Sequence, residues 1–98
     1  TEQPRGVVRI DAGAARKLQT SGASLLAVVV VGVEGRFERG ATVLVTGPDG
    51  KEIAHGLTSY DSEALRRLCG VRSDRIAEIL GYTYGDAVIH RNNLVMLA

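Results

Sequence analysis

The sequence predicts one small domain of mixed α/β class that is rich in β-strand and closes into a small barrel. Three observations support this prediction. The chain has 98 residues, which is near the usual size of a single domain. Short apolar, β-branched runs recur along it, whereas only three short segments have helical character. A sheet with so few covering helices must curl on itself to hide its apolar face.

The first third of the chain predicts a strand, a short helix and a second, longer strand. Residues 7–10 form a β-branched run. Asp11 is expected to cap a short helix that ends at Gly22. Residues 25–33 give the strongest strand signal, and their apolar run is continuous rather than alternating. We therefore expect one straight strand with both faces largely covered.

A β-hairpin is expected next. Residues 42–46 predict a strand, and residues 47–50 read Gly-Pro-Asp-Gly. That order suits a tight turn, because Pro fixes φ and Gly permits positive φ. Residues 51–57 should return antiparallel, with Ile53 and Leu57 facing inward.

Two short helices follow the hairpin. Asp61 or Ser62 is expected to cap the first helix, which ends at Gly70. Ser73 is expected to cap the second, which ends at Gly81. A final strand interrupted by a bend completes the chain: residues 87–89, 91–93 and 94–97.

Composition argues against several classes of protein. Twelve basic residues are balanced by eleven acidic ones, so the net charge of +1 lacks the basic excess of a strong nucleic-acid binder. The longest apolar run has seven residues, whereas a membrane-spanning helix needs about twenty. No signal-peptide pattern is present. A single cysteine, Cys69, fits a reducing compartment, so we expect a cytoplasmic protein without membrane contact.

Motifs that carry chemistry are missing from the sequence. His55 and His90 have no second His or Cys at metal-ligand spacing, and Cys69 has no CxxC partner. Neither a phosphate-binding loop, nor a dinucleotide-binding GxGxxG, nor a GxSxG nucleophile motif occurs. We therefore expect no catalytic residue, no cofactor and no metal site in this chain.

Several segments, taken in order, resemble a PUA domain: residues 10–14, 22–26 and 32–40, then 50–57, 60–65, 79–82 and 90–95. The later segments resemble the C-terminal PUA domain of bacterial glutamate 5-kinases. The resemblance extends from Gly6 to Leu97. It implies that residues 1–5 are a linker from an upstream domain and that residues 6–98 are the PUA domain.

This resemblance implies a PUA-type pseudo-barrel with short covering helices. It also implies a parent protein whose N-terminal amino-acid-kinase domain phosphorylates the γ-carboxylate of glutamate, the first step of proline biosynthesis, under feedback inhibition by proline. ATP and magnesium would bind that upstream domain, so no cofactor is expected here. The upstream domain is the implied partner, and the parent is implied to be a homo-oligomer.

The resemblance also indicates contact residues. PUA domains of RNA-modifying enzymes hold structured RNA with the first helix, the glycine-containing turn after it and the last strand. The corresponding positions are expected to contact RNA or another domain: Arg16, Lys17, Ser21, Gly22, Ser24, His90 and Arg91. The family usually reads Leu-Leu-Pro-Ala-Gly-Val after the serine, whereas residues 27–30 here read Ala-Val-Val-Val. Loss of this Pro and Gly predicts a straighter strand and weaker RNA contact.

Three functions remain open at this point. The chain is a regulatory module of a glutamate 5-kinase, an RNA-binding module of a tRNA- or rRNA-modifying enzyme, or a self-associating structural domain. The last would pair through an exposed strand edge at residues 25–31.

Overall fold

Ten regular elements and three 3₁₀ turns make up the part of the chain that the structure describes. The computed structural model describes residues 4–97, with Ser21 described by its backbone alone. The strands are β1 (Gly6–Ile10), β2 (Leu25–Leu26), β3 (Val30–Gly35), β4 (Thr42–Thr46), β5 (Glu52–Leu57), β6 (Ala87–Ile89) and β7 (Leu94–Met96). The helices are α1 (Ala12–Ser21), α2 (Ser62–Leu68) and α3 (Ile76–Leu80). The 3₁₀ turns are Ala27–Val29, Ser73–Arg75 and Arg91–Asn93.

Two sheets enclose the core. The larger has five strands in the order β3-β1-β4-β5-β7, and the smaller consists of β2 and β6. β1 and β4 are parallel, while the other paired strands are antiparallel. Aliphatic residues from both sheets and all three helices are buried between them, together with Phe37 and Tyr60. The β-rich mixed architecture predicted from the sequence is confirmed.

Local signals for caps and turns are confirmed at three places. The Asp11 carboxylate accepts a hydrogen bond from the Ala14 N–H at 2.7 Å, and α1 ends at Gly22 with φ of 62°. Asp61, rather than Ser62, caps α2 by accepting from the Ala64 N–H at 2.8 Å. The turn between β4 and β5 is closed by the Gly50 N–H donating to the Gly47 carbonyl at 3.0 Å.

The straight strand expected over residues 25–33 is wrong. The chain forms β2, then the 3₁₀ turn Ala27–Val29, then β3. Ala27 is buried and its carbonyl accepts from the Gly70 N–H at 3.1 Å, while the Val29 carbonyl accepts from Asp11 N–H. The turn thus bends the chain without Pro or Gly. Nor are both faces covered, because Val31 is 57% exposed.

The inward orientation predicted for Leu57 is also wrong, whereas that of Ile53 is confirmed. Val45 pairs with Ala54 and Thr46 pairs with Glu52, so Ile53 is an extra residue in β5. Ile53 and Ala54 are both buried, and the alternation after them is shifted by one residue. Leu57 therefore faces outward and is 43% exposed.

Ser73 does not cap α3. Its hydroxyl donates to the Asp86 carbonyl at 3.2 Å, and a 3₁₀ turn from Ser73 precedes the helix. Gly81 ends α3 as predicted, with φ of 82°. The first of these two helices ends at Leu68, two residues before the predicted Gly70, which has φ of 74°.

Candidate RNA or domain interface

The pairing of the small sheet places two distant segments side by side. Leu25 of β2 pairs with Ile89 of β6, so Ser24 and His90 flank a paired position. The Arg91 N–H donates to the Ser24 hydroxyl oxygen at 3.0 Å. The turn after α1 and the turn before β7 therefore meet, although 67 residues separate them in sequence.

The end of α1 forms one side of this surface. The N–H of Gly22 donates to the Leu18 carbonyl at 3.2 Å, and the left-handed conformation of Gly22 ends the helix there. Arg16 and Lys17 are exposed on the helix. Lys17 and Ser24 both line a small groove of about 70 Å³. The Ser21 side chain lies outside the described part of the structure.

The other side is the 3₁₀ turn Arg91–Asn93. The Asn92 N–H donates to Nδ1 of His90 at 3.2 Å, so this nitrogen acts as a hydrogen-bond acceptor and caps the turn. His90 and Arg91 are exposed. The imidazole therefore has a local structural role beside the surface it helps to form.

Positive charge is concentrated at this surface. Residues 16–24 and 87–93 contain Arg16, Lys17 and Arg91 and no acidic residue. The ion pairs between described residues are Arg9–Glu34, Arg72–Asp74 and Arg75–Glu78, and neither Arg16 nor Arg91 takes part in them. The near-zero charge of the whole chain therefore conceals a local excess of positive charge, which attracts anionic partners at low ionic strength.

Of the predicted contact residues, the structure brings Gly22, Ser24, His90 and Arg91 into one turn cluster, and Lys17 lines the groove beside it. Arg16 occupies the preceding helical position. The surface presents exposed cations on α1 and on the 3₁₀ turn Arg91–Asn93. Such an arrangement suits contact with a macromolecular surface.

A second polar cluster escaped the sequence analysis. The Tyr60 hydroxyl donates to the Gly85 carbonyl and accepts from the Tyr84 N–H, both at 2.8 Å. The Arg39 guanidinium lies 3.5 Å from the centre of the Tyr84 ring. The spacing of Tyr82 and Tyr84 is visible in the sequence, but the contacts of Tyr84 with Arg39 and Tyr60 join distant segments.

Cys69 follows the last residue of α2 and is partly buried. Burial raises the pKa of the Cys69 thiol, outweighing the opposing effects of its backbone hydrogen bond and of the Arg66 charge. Across residues 4–97, no three His, Cys, Asp or Glu side chains are close enough to share a metal ion. Within that same range, no helix has the length and apolar character needed to cross a membrane.

The sequence profile of the PUA domain matches residues 6–80. The chain belongs to the PUA domain family. A solved PUA domain from Aeropyrum pernix K1, described as a tartrate complex, aligns with a TM-score of 0.64 and 33% identity. The alignment covers 88% of this chain and 41% of that one, and confirms the PUA-type fold.

This PUA domain is also similar to glutamate 5-kinases. It is 50% identical over 97 residues to the enzyme of Trichlorobacter lovleyi and 54% identical over 95 residues to that of Pelobacter propionicus. These alignments cover 99% and 97% of the chain but only 26% of each enzyme, in its C-terminal region. The chain therefore spans about a quarter of the length of these relatives.

Proposed function

We propose that this PUA domain is a non-catalytic accessory domain of a glutamate 5-kinase, the enzyme that phosphorylates the γ-carboxylate of glutamate at the start of proline biosynthesis. One observation carries the proposal. Almost the whole chain aligns at about half identity with glutamate 5-kinases, yet it corresponds to 26% of their length. A region of that size with its own hydrophobic core can fold as a separate domain beside the remainder of the protein.

The proposed division of labour assigns the reaction to the upstream amino-acid-kinase domain. ATP, magnesium and glutamate bind there, and proline inhibits there. The PUA domain changes the kinase by contact, because binding to one conformation of a neighbour shifts the populations of its conformations. The proposed parent is a cytoplasmic homo-oligomer.

Inhibition by proline tests this regulatory role. Glutamate phosphorylation would be measured over a proline series for the parent protein and for a parent shortened to end before Gly6. We expect both proteins to phosphorylate glutamate and the proline concentration for half inhibition to differ between them. Identical inhibition curves and identical glutamate saturation curves would contradict the proposal.

A second candidate function is RNA binding, and the positive surface around Arg16, Ser24 and Arg91 favours it. Exposed cations on a helix end and a neighbouring turn can contact the phosphates of a structured RNA. Each phosphate contact contributes to affinity and is weakened by salt. The positive charge is concentrated on one part of the surface, so it is compatible with the small net charge of the whole chain.

Retention of a transfer-RNA transcript in a gel-shift assay tests this candidate at two salt concentrations. If it is correct, R16E/R91E weakens binding and reduces its salt dependence. The control R72E/R75E makes the same charge change at two exposed arginines elsewhere and should have little effect. No retention of wild-type protein at low salt, or equal weakening by both variants, argues against RNA binding.

A further inference from the structure

A second positively charged surface lies at the start of β1, where the described chain begins. Two adjoining grooves of about 440 and 350 Å³ share Arg39 and Gly40 in their linings. Arg5 and Arg36 line the first groove and Leu57 lines the second. With the adjacent tyrosine pair, these side chains define the arginine–tyrosine surface: Arg5, Arg36, Arg39, Leu57, Tyr82 and Tyr84. Asn93, at the end of the Arg91–Asn93 turn, also lines the second groove, so this surface adjoins the candidate interface described above.

Its positive charge is only partly balanced. The linings of the two grooves contain three arginines and one acidic residue, Glu38. A neighbouring groove that shares Arg36 and Glu38 adds Arg66 and two carboxylates, those of Asp61 and Glu63. The ion pairs between described residues use none of these arginines. Since exposed, unpaired guanidinium groups readily form bidentate hydrogen bonds with carboxylates, the surface is suited to an acidic partner.

The loop that carries Arg36 and Arg39 is fixed by hydrogen bonds to Ser62 and Thr58. The Phe37 N–H donates to the Ser62 hydroxyl at 3.2 Å, and the Ser62 N–H donates to the Phe37 carbonyl at 3.0 Å. The Gly40 N–H donates to the Thr58 carbonyl at 2.8 Å. A loop anchored on both sides loses little conformational entropy when its exposed side chains bind.

The aromatic part of the surface is equally well fixed. Tyr84 lies between Tyr82 and Tyr60, with ring centres 5.2 and 5.4 Å away, and Arg39 covers its ring. Tyr60 is fully buried, whereas Tyr82 and Tyr84 are 42% and 47% exposed. Arginine and tyrosine are enriched at the centres of protein–protein interfaces. Fixed Arg and Tyr side chains beside an exposed leucine are typical of such a centre.

The point at which the chain enters this domain favours the preceding domain as the partner that binds the arginine–tyrosine surface. The Arg5 N–H donates to the Thr42 carbonyl at 2.8 Å, so the backbone arrives at β1 alongside the first groove. In the related enzymes most of the protein precedes the region that this chain matches. A preceding domain joined by a short flexible linker has an effective concentration on the order of millimolar, at which even a modest interface is occupied.

We propose that the arginine–tyrosine surface is the docking face for the kinase domain that precedes this chain in the parent protein, and that the kinase domain contributes acidic groups to the contact. This inference rests on the proposed function and adds the surface through which the PUA domain contacts the kinase domain. The accessory domain then acts on the kinase from the end at which the two are joined, leaving the Arg16–Ser24–Arg91 surface open to solvent.

Hydroxyl-radical labelling of tyrosine side chains tests the docking face. The labelling rates of Tyr82 and Tyr84 would be compared in the parent protein and in the 98-residue chain, with buried Tyr60 as an internal reference. We expect several-fold slower labelling of both tyrosines in the parent. High salt should reduce this protection because it screens exposed charge pairs.

Paired charge reversals provide the matched comparison. R36E/R39E in the parent should restore labelling of Tyr82 and Tyr84 to the rate found for the same variant of the isolated chain. R72E/R75E changes the charge equally on a different surface and should retain the protection. Equal labelling in the parent and the isolated chain would overturn the inference. So would protection that appears in the isolated chain as its concentration rises, since the occupant would then be a second copy.

The proposed function can fail separately from this inference. If proline inhibition and glutamate saturation do not change on removal of the chain, the regulatory function fails even where the tyrosines are protected. If removal changes inhibition but the tyrosines are equally labelled in both proteins, only the docking face is wrong.

Discussion

Tyr60 links a turn of the barrel to the loop that follows α3. Tyr60 lies between β5 and α2 in the sequence, and its side chain is fully buried. Its hydroxyl contacts Thr83, Tyr84 and Gly85. The Thr58 hydroxyl donates to the Tyr60 carbonyl at 2.7 Å and fixes the backbone there. One side chain therefore positions Tyr84, and the ring of Tyr82 packs against Tyr84.

Replacing Tyr60 with Phe should lower the free energy of unfolding by about 1–2 kcal/mol. The Tyr84 N–H loses its partner, and the Gly85 carbonyl keeps only the longer hydrogen bond from the Thr83 hydroxyl. Y82F removes an exposed hydroxyl from the same loop and should change stability by less than about 0.5 kcal/mol. Urea unfolding of both variants measures the difference. Equal stability of the two would show that the Tyr60 hydrogen bonds contribute nothing.

Cys69 is expected to be unreactive near neutral pH. Burial raises the pKa of its thiol, and the thiolate is the nucleophile, so a disulfide reagent should label the folded chain more slowly than the urea-unfolded chain. Because the folded state holds this proton more tightly, stability should fall as pH rises above the thiol pKa of the unfolded chain. In C69A this contribution to the alkaline loss should disappear. Equally fast labelling of folded and unfolded protein contradicts the assignment.

At the scale of elements, β5 and the turn before β7 approach each other closely at Gly56. A Cβ atom built there would lie 2.6 Å from Cγ2 of Ile89 and 3.2 Å from the Asn93 carbonyl oxygen. Gly56 is therefore required by packing, because the two sheets meet at this position. This contact also holds the Arg91–Asn93 turn near the candidate interface.

The substitution G56A should destabilise the domain by about 1–3 kcal/mol through overpacking. G13A is its matched control, because Gly13 lies in α1 with its nearest obstacle at 3.6 Å. Alanine should stabilise that helix by about 0.5–1 kcal/mol. Thermal unfolding of both variants should therefore give shifts of opposite sign. A loss of stability in both, or in neither, would contradict this account of the packing.

The elements predicted well from sequence are those fixed by their own residues. Asp11 and Asp61 cap helices through a backbone N–H three residues ahead, so the signal and its effect are local. The bend at Ala27–Val29 was missed because an apolar run looks the same in a strand and in a buried turn. Its hydrogen bonds with Gly70 and Asp11 depend on tertiary structure.

Long-range pairing explains the other differences. The extra residue at Ile53 depends on the register between β4 and β5, which the sequence pattern of β5 alone does not encode. The Ser73 hydroxyl donates to the Asp86 carbonyl, which is distant in sequence, instead of capping its own helix. In the candidate interface, the resemblance to PUA domains indicated Ser24 and Arg91 as contact residues. The pairing of β2 with β6 then brings these two residues together in the fold.

At the scale of the whole molecule, the two proposed contact surfaces are formed by different elements of the fold. The Arg16–Ser24–Arg91 surface rests on α1 and the small sheet, whereas the arginine–tyrosine surface rests on loops of the large sheet and on Tyr60. A domain with two such surfaces can hold a kinase domain at one and remain accessible at the other. Both surfaces consist of side chains suited to binding.

The central claim is that phosphoryl transfer belongs to the part of the parent protein that precedes this PUA domain. The most direct measurement is ATP-dependent glutamate phosphorylation per kinase site in the parent, in the parent shortened to end before Gly6, and in the 98-residue chain alone. We predict turnover in the first two proteins, with altered proline sensitivity in the shortened one, and none in the isolated chain. Phosphorylation of glutamate by the isolated chain, or complete loss of turnover in a correctly folded shortened parent, would contradict the claim.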